Sequence, residues 1–161
     1  MGKIVIGARQ GASGLEYGEH MVVSSLRKIV ARRDLVCPVI RREFAQACGK
    51  DADKVLTVFR AFRDTLGLTA RRRISIGHPG WFGLTGDERQ ILGMIGAAQD
   101  GDQARLAAQV CWFARGDRQR LLAGAVRALA AAFAAHELLV FSPPPPNKAG
   151  PIGGPPLGLV S

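Results

Sequence analysis

Between residues 85 and 137 the chain can fold in essentially one way, as three consecutive helices. Thr85 stands three residues before Glu88, the spacing at which a hydroxyl and a carboxylate satisfy each other's free backbone N–H groups at a helix start. Ile91 and Ile95, with Leu92 beside them, then fall on one helical face. Asp100-Gly101-Asp102 interrupts the period and Leu106, Val110 and Phe113 restart it. Gly116-Asp117 interrupts it again, a helix terminator followed by a candidate cap. Leu122, Val126, Leu129 and Phe133 recur at steps of four, three and four, the stripe of an amphipathic helix.

The preceding half is also helical in period. Glu19 to Arg33 places Val22, Leu26, Ile29 and Val30 on one side and Arg27, Lys28, Arg32 and Arg33 mostly on the other. Pro38 suits the first turn of a second helix, which runs to Cys48 and is stopped by Gly49. Asp51 or Asp53 can cap a third, with Val55, Phe59, Phe62 and Leu66 at helical spacing. Period disappears from Thr69 to Leu84, where Ile74-Ser75-Ile76 alternates like a short strand. His78-Pro79-Gly80-Trp81-Phe82-Gly83 then reads as a turn-rich connector. The expectation is a mainly α fold of about six helices in one compact domain, residues 19–141. A basic part (19–73) and a three-helix unit (85–141) are joined by a connector, residues 69–84. Residues 1–18 form a glycine-rich arm with a short strand at Lys3-Ile4-Val5-Ile6-Gly7. Residues 142–161, opened by four prolines, favour extended polyproline II and are expected to be a disordered tail.

Charge is uneven. Residues 1–80 carry 15 Lys/Arg against 7 Asp/Glu, a balance of +8, whereas residues 81–161 carry 7 against 6. A polyanionic partner is therefore sought in the first half. The spacing of Phe44, Ala45, Cys48, Gly49, Val55 and Val58 resembles a DNA-binding helix-turn-helix over residues 39–66, which would send its second helix into a major groove. Lys50 departs from that pattern, and Asp51 and Asp53 stand where phosphates would approach. Arg71-Arg72-Arg73, with Arg60 and Arg63 upstream, is the densest positive feature. Arg41, Arg42, Lys50 and Lys54 complete a candidate set of phosphate contacts. Trp81 and Phe82 are candidates to stack on unpaired bases, or alternatively to plug the seam between the halves while the arginines face water.

Near the N-terminus, Gly11-Ala12-Ser13-Gly14-Leu15-Glu16-Tyr17-Gly18 resembles the first strand–turn of flavin prenyltransferase-type flavoproteins. That resemblance implies a flavin mononucleotide held at Gly11, Ser13 and Gly14, and it covers about the first 25 residues. A flavodoxin-like sheet needs further parallel strands, and the rest of the chain offers helices instead, so no cofactor is expected.

The three cysteines lack CxxC spacing and suit a reducing cytoplasm better than a disulfide framework. No two potential ligands among the cysteines and the three histidines lie at zinc-site spacing, so no metal is expected. Cys37, before the helix-opening Pro38, is a candidate reactive thiol, and His136 suits the negative end of the last helix. Leu121 to Phe141 contains Arg127, His136 and Glu137 and is largely alanine, which makes it a core helix and not a membrane span. The acidic residues cluster at expected helix starts, where capping accounts for them, and no nucleophile elbow or Walker loop is present. The sequence points to a small non-enzymatic cytoplasmic regulator that touches DNA or RNA through its basic half. The alternative is a helical protein–protein module, a homodimer or a partner of another helical protein.

Overall fold

The computed structural model describes residues 15–32 and 37–141. Among these lie six α-helices: α1 (Tyr17–Arg32), α2 (Pro38–Cys48), α3 (Ala52–Thr69), α4 (Gly86–Gln99), α5 (Gln103–Phe113) and α6 (Arg118–Ala134), with a single 3₁₀ turn, Gly49–Asp51, between α2 and α3. Residues 1–14 of the arm, with its strand and the flavin-like turn at Gly11, Ser13 and Gly14, lie outside the described residues, as does the proline-rich tail. The end of the arm is instead part of the domain, with Leu15 buried and α1 beginning at Tyr17. No helix among the described residues is long and apolar enough to cross a membrane.

Local chemistry sets most helix ends. Thr85 and Glu88 form the reciprocal capping box at the start of α4. Pro38 sits in the first turn of α2, and Gly49 ends it at φ 58°, backbone that costs an L side chain strain. Asp102 caps α5 by accepting from Arg105 N–H at 3.0 Å. Two expected caps are not made. Neither Asp51 nor Asp117 accepts a side-chain cap bond. Asp51 instead lies 3.4 Å from Nε2 of His136, which sits in the turn beyond α6 and not within it.

The helices share one core. α3 lies along α6, α4 packs on both α5 and α6, and α2 packs on α3. The Phe44 ring meets Phe59 edge-on at 5.6 Å and Phe133 at 6.3 Å, so α2, α3 and α6 converge on one aromatic cluster. The basic part and the three-helix unit thus share one continuous interior. Val30, expected in that interior, is exposed, while Arg27, expected on the polar side of α1, is buried.

After α6 the chain returns in extended form. Leu138 and Val140 are buried, and the Gln99 side chain holds their backbone, donating to Leu138 O at 3.0 Å and accepting from Val140 N–H at 2.8 Å. Phe141 N–H donates to Oε1 of the buried Glu19 at 2.9 Å. Burial pushes the Glu19 carboxyl up, against the opposing pull of the Glu16 and Phe141 N–H groups. This docking requires Gly18, because a Cβ there would stand 2.5 Å from Leu139 O. Backbone cannot yield as a flexible side chain does, so Gly18→Ala should cost about 1–3 kcal/mol. Urea denaturation of the variant checks this, and an unchanged midpoint would show that the segment is not fixed against α1.

Candidate functional site

The connector between α3 and α4 is built by two adjacent carboxylates in the first turn of α4. Asp87 accepts from Ser75 N–H at 2.7 Å, and Glu88 accepts from Gly77 N–H at 3.0 Å and Thr85 N–H at 2.8 Å. The Thr85 hydroxyl in turn donates to Ser75 O at 2.7 Å. Side chains therefore take up the Ser75 N–H and C=O that a strand at 74–76 would need for a ladder, and among the described residues no strand forms.

Each carboxylate also holds an arginine. Arg27 of α1 donates from Nε to Oε1 of Glu88 at 2.7 Å and from Nη2 to Oε2 at 2.8 Å. It also donates to the carbonyls of Trp81 and Gly83. Burial pushes the Glu88 carboxyl up, but the hydrogen bonds from Arg27, Thr85 and Gly77 outweigh it and hold the group below the usual carboxylate range. Arg72 forks onto Asp87 at 2.7 and 3.1 Å. That hydrogen bonding is the main reason Asp87 titrates low, with a smaller contribution from Trp112.

Each arginine in turn lies beside a tryptophan. The Arg27 guanidinium is 5.5 Å from the centre of Trp81, whose ring rests on Gly77 and Gly83. The Arg72 guanidinium is 5.8 Å from Trp112 and 5.6 Å from Phe113. Trp81 and Trp112 are each 49% exposed and Phe82 69%. The expectation that Trp81 and Phe82 plug a seam is corrected. The connector is fastened instead by the buried Arg27–Glu88 pair and by Arg72 on Asp87, which leaves the aromatic faces outside.

The expected basic residues do not form one patch. Arg71, Arg72 and Arg73 are all exposed on the connector, at the C-terminal end of α3. Lys50 and Lys54, also exposed, stand at its other end, and 18 residues of helix span roughly 27 Å. Arg41 and Arg42 are exposed on α2, whereas Arg60 and Arg63 are half-buried along α3. Arg63 lies 2.7 Å from the Asp64 carboxylate.

The helix-turn-helix spacing is met in part. Phe44, Cys48 and Val55 are buried and Gly49 has the positive φ, but Ala45 is exposed and not wedged between helices. The outer face of α3 presents Asp53, Lys54, Thr57, Ala61 and Asp64, more acid than base. Cys37 is 2% exposed at the start of α2, which shields its sulfur from solvent.

Sequence reasoning passed over Trp112, Arg115 and Arg118. The available signal was that Trp112 falls off the Leu106–Val110–Phe113 stripe and sits close to both arginines in the chain. In the fold the end of α5 and the start of α6 meet the end of α3 and the connector. Arg71 N–H donates to Phe113 O at 2.8 Å, Arg71 Nε lies 3.4 Å from Trp112 O, and Arg118 donates to Leu68 O at 3.3 Å. Compared with known proteins, the chain matches no family model, no curated protein and no solved structure, so its function has to be read from these side chains themselves.

Proposed function

We propose that the protein is a non-enzymatic cytoplasmic regulator that contacts nucleic acid through the arginine-bearing connector. The observation that carries this reading is the fastening of residues 71–83 onto Asp87 and Glu88 while Arg71, Arg73, Trp81 and Phe82 remain exposed. A fixed cationic surface binds phosphates without first ordering its own chain, so less of the interaction is spent on entropy. The helix-turn-helix route has weaker support, because the outer face of α3 offers two carboxylates to a major groove.

The test is anisotropy of labelled single-stranded and duplex oligonucleotides across a salt series. Affinity should fall steeply with salt. Arg71→Ala combined with Arg73→Ala should weaken binding about tenfold and reduce the salt slope by about 2. Arg72 is left in place because it holds Asp87. Absence of binding at low salt would end the reading.

A protein-binding module is the second reading. It draws on an open groove of about 270 Å³ between α5 and α6, with Leu106, Val110 and Ala123 along it and Arg120 and Arg127 at its side. An acidic helical partner would suit those two arginines.

A further inference from the structure

We propose that Trp112 is a base-stacking platform and that the surface around it takes single-stranded nucleic acid in preference to duplex. This rests on the nucleic-acid reading above and names the form of the ligand. Three separate segments converge here. Residues 68–72 close α3, residues 112–115 close α5, and Arg118 opens α6. The bonds joining Arg71 to Phe113 and Arg118 to Leu68 lock them together. The result sets Arg72 beside the indole and Arg71 at the Trp112 carbonyl, with Arg115 and Arg118 on the same short stretch of chain.

Among the described residues no carboxylate lies within salt-bridge distance of Arg71, Arg115 or Arg118, all of which are exposed. Of the nearby carboxylates, Asp117 is exposed, Asp64 lies 2.7 Å from Arg63, and Asp87 is taken up by Arg72 at 2.7 Å. That pairing also fixes the guanidinium beside Trp112, so the ring is held by a structured neighbour and about half its surface stays open.

A half-exposed indole with one arginine fixed beside it and further exposed arginines on the segments that meet there is a combination that binds single strands: the aromatic takes a base face and the arginines take the backbone. Duplex nucleic acid keeps its base faces inside the stack and can use only the arginines.

The experiment compares oligo-dT, oligo-U and a duplex of equal length, about 12 nucleotides, by anisotropy. Both single strands should bind more tightly than the duplex. Trp112→Leu should weaken single-strand binding about five- to hundredfold and leave duplex binding within about twofold. Trp112→Phe should retain most of the affinity. A second readout does not depend on how Trp112 variants fold. The chain has two tryptophans, so Trp81→Phe leaves Trp112 as the sole indole, and saturating single strand should quench its emission.

Equal affinity of wild type and Trp112→Leu for single strands, or unquenched emission at saturation, overturns the platform. If Arg71→Ala with Arg73→Ala still weakens binding in that case, the nucleic-acid reading stands without it. Failure of the wild type to bind either form overturns both.

Discussion

Glu88→Ala should cost about 3–5 kcal/mol of folding stability, the effect of leaving one partner of a buried ion pair alone. The Glu88 side chain is fully buried and that of Arg27 is 7% exposed. Removing the carboxylate strands the guanidinium and also deprives Gly77 and Thr85 N–H of their acceptor. The magnitude comes from desolvation. Neither charge regains water unless the connector lifts away, so the structure must either hold an unpaired cation or open. Arg27→Ala should be similarly severe. The double variant Arg27→Ala/Glu88→Ala should lose clearly less than the sum of the singles, because the second substitution removes the group that the first left stranded.

Urea denaturation of the four proteins closes this cycle, and additive losses would show that the two groups do not act as a pair. The same chemistry sets an acid dependence. Glu88 and Asp87 titrate below their ordinary values in the fold. As pH falls through the interval between the ordinary and the lowered values, the unfolded chain binds more protons than the native one. Their stabilisation is therefore complete above the ordinary carboxylate range and is lost progressively below it. Glu19 runs the other way, since burial raises it. Its contribution is fullest at low pH and is lost as pH rises through its native value. The net acid slope should accordingly be shallower in Glu88→Gln than in the wild type.

Phe133→Ala should cost about as much, about 3–5 kcal/mol, by opening a cavity that rigid helices cannot close. Phe133 is fully buried on α6 and meets Phe44 of α2, which in turn meets Phe59 of α3. Because these rings join both halves of the chain, the loss should be felt everywhere at once. Near-ultraviolet and far-ultraviolet circular dichroism should report one coincident unfolding transition, shifted as a unit by the substitution. Two separated transitions in the wild type would mean that residues 85–141 form a core of their own. The result also bears on binding, since the arginine connector and Trp112 meet only while α3, α4 and α5 are docked.

Much of this architecture follows from the order of the residues alone. Thr85 and Glu88 cap α4 because both partners lie within one turn, and Gly49, Gly101 and Gly116 stand at helix breaks because glycine takes the positive φ found there without a Cβ penalty. Leu122, Val126, Leu129 and Phe133 are buried together because helical period puts them on one face whatever packs against it. The expected caps at Asp51 and Asp117 failed because their backbone is already near-helical, with ψ 4° and −23°, whereas Asp102 at ψ 88° does cap its helix. The fate of Arg27 was a tertiary matter. A charged residue on a helix enters the interior only if a counter-charge meets it there, and its carboxylate is 61 residues away. The strand at Ile74-Ser75-Ile76 was lost for the same kind of reason, its backbone groups taken by the side chains of Asp87 and Thr85. Periodicity reports a side chain's own face, whereas the pairing of Arg72 with Asp87 and the gathering of Arg71, Trp112 and Arg118 exist only because packed helices bring distant segments within hydrogen-bond reach.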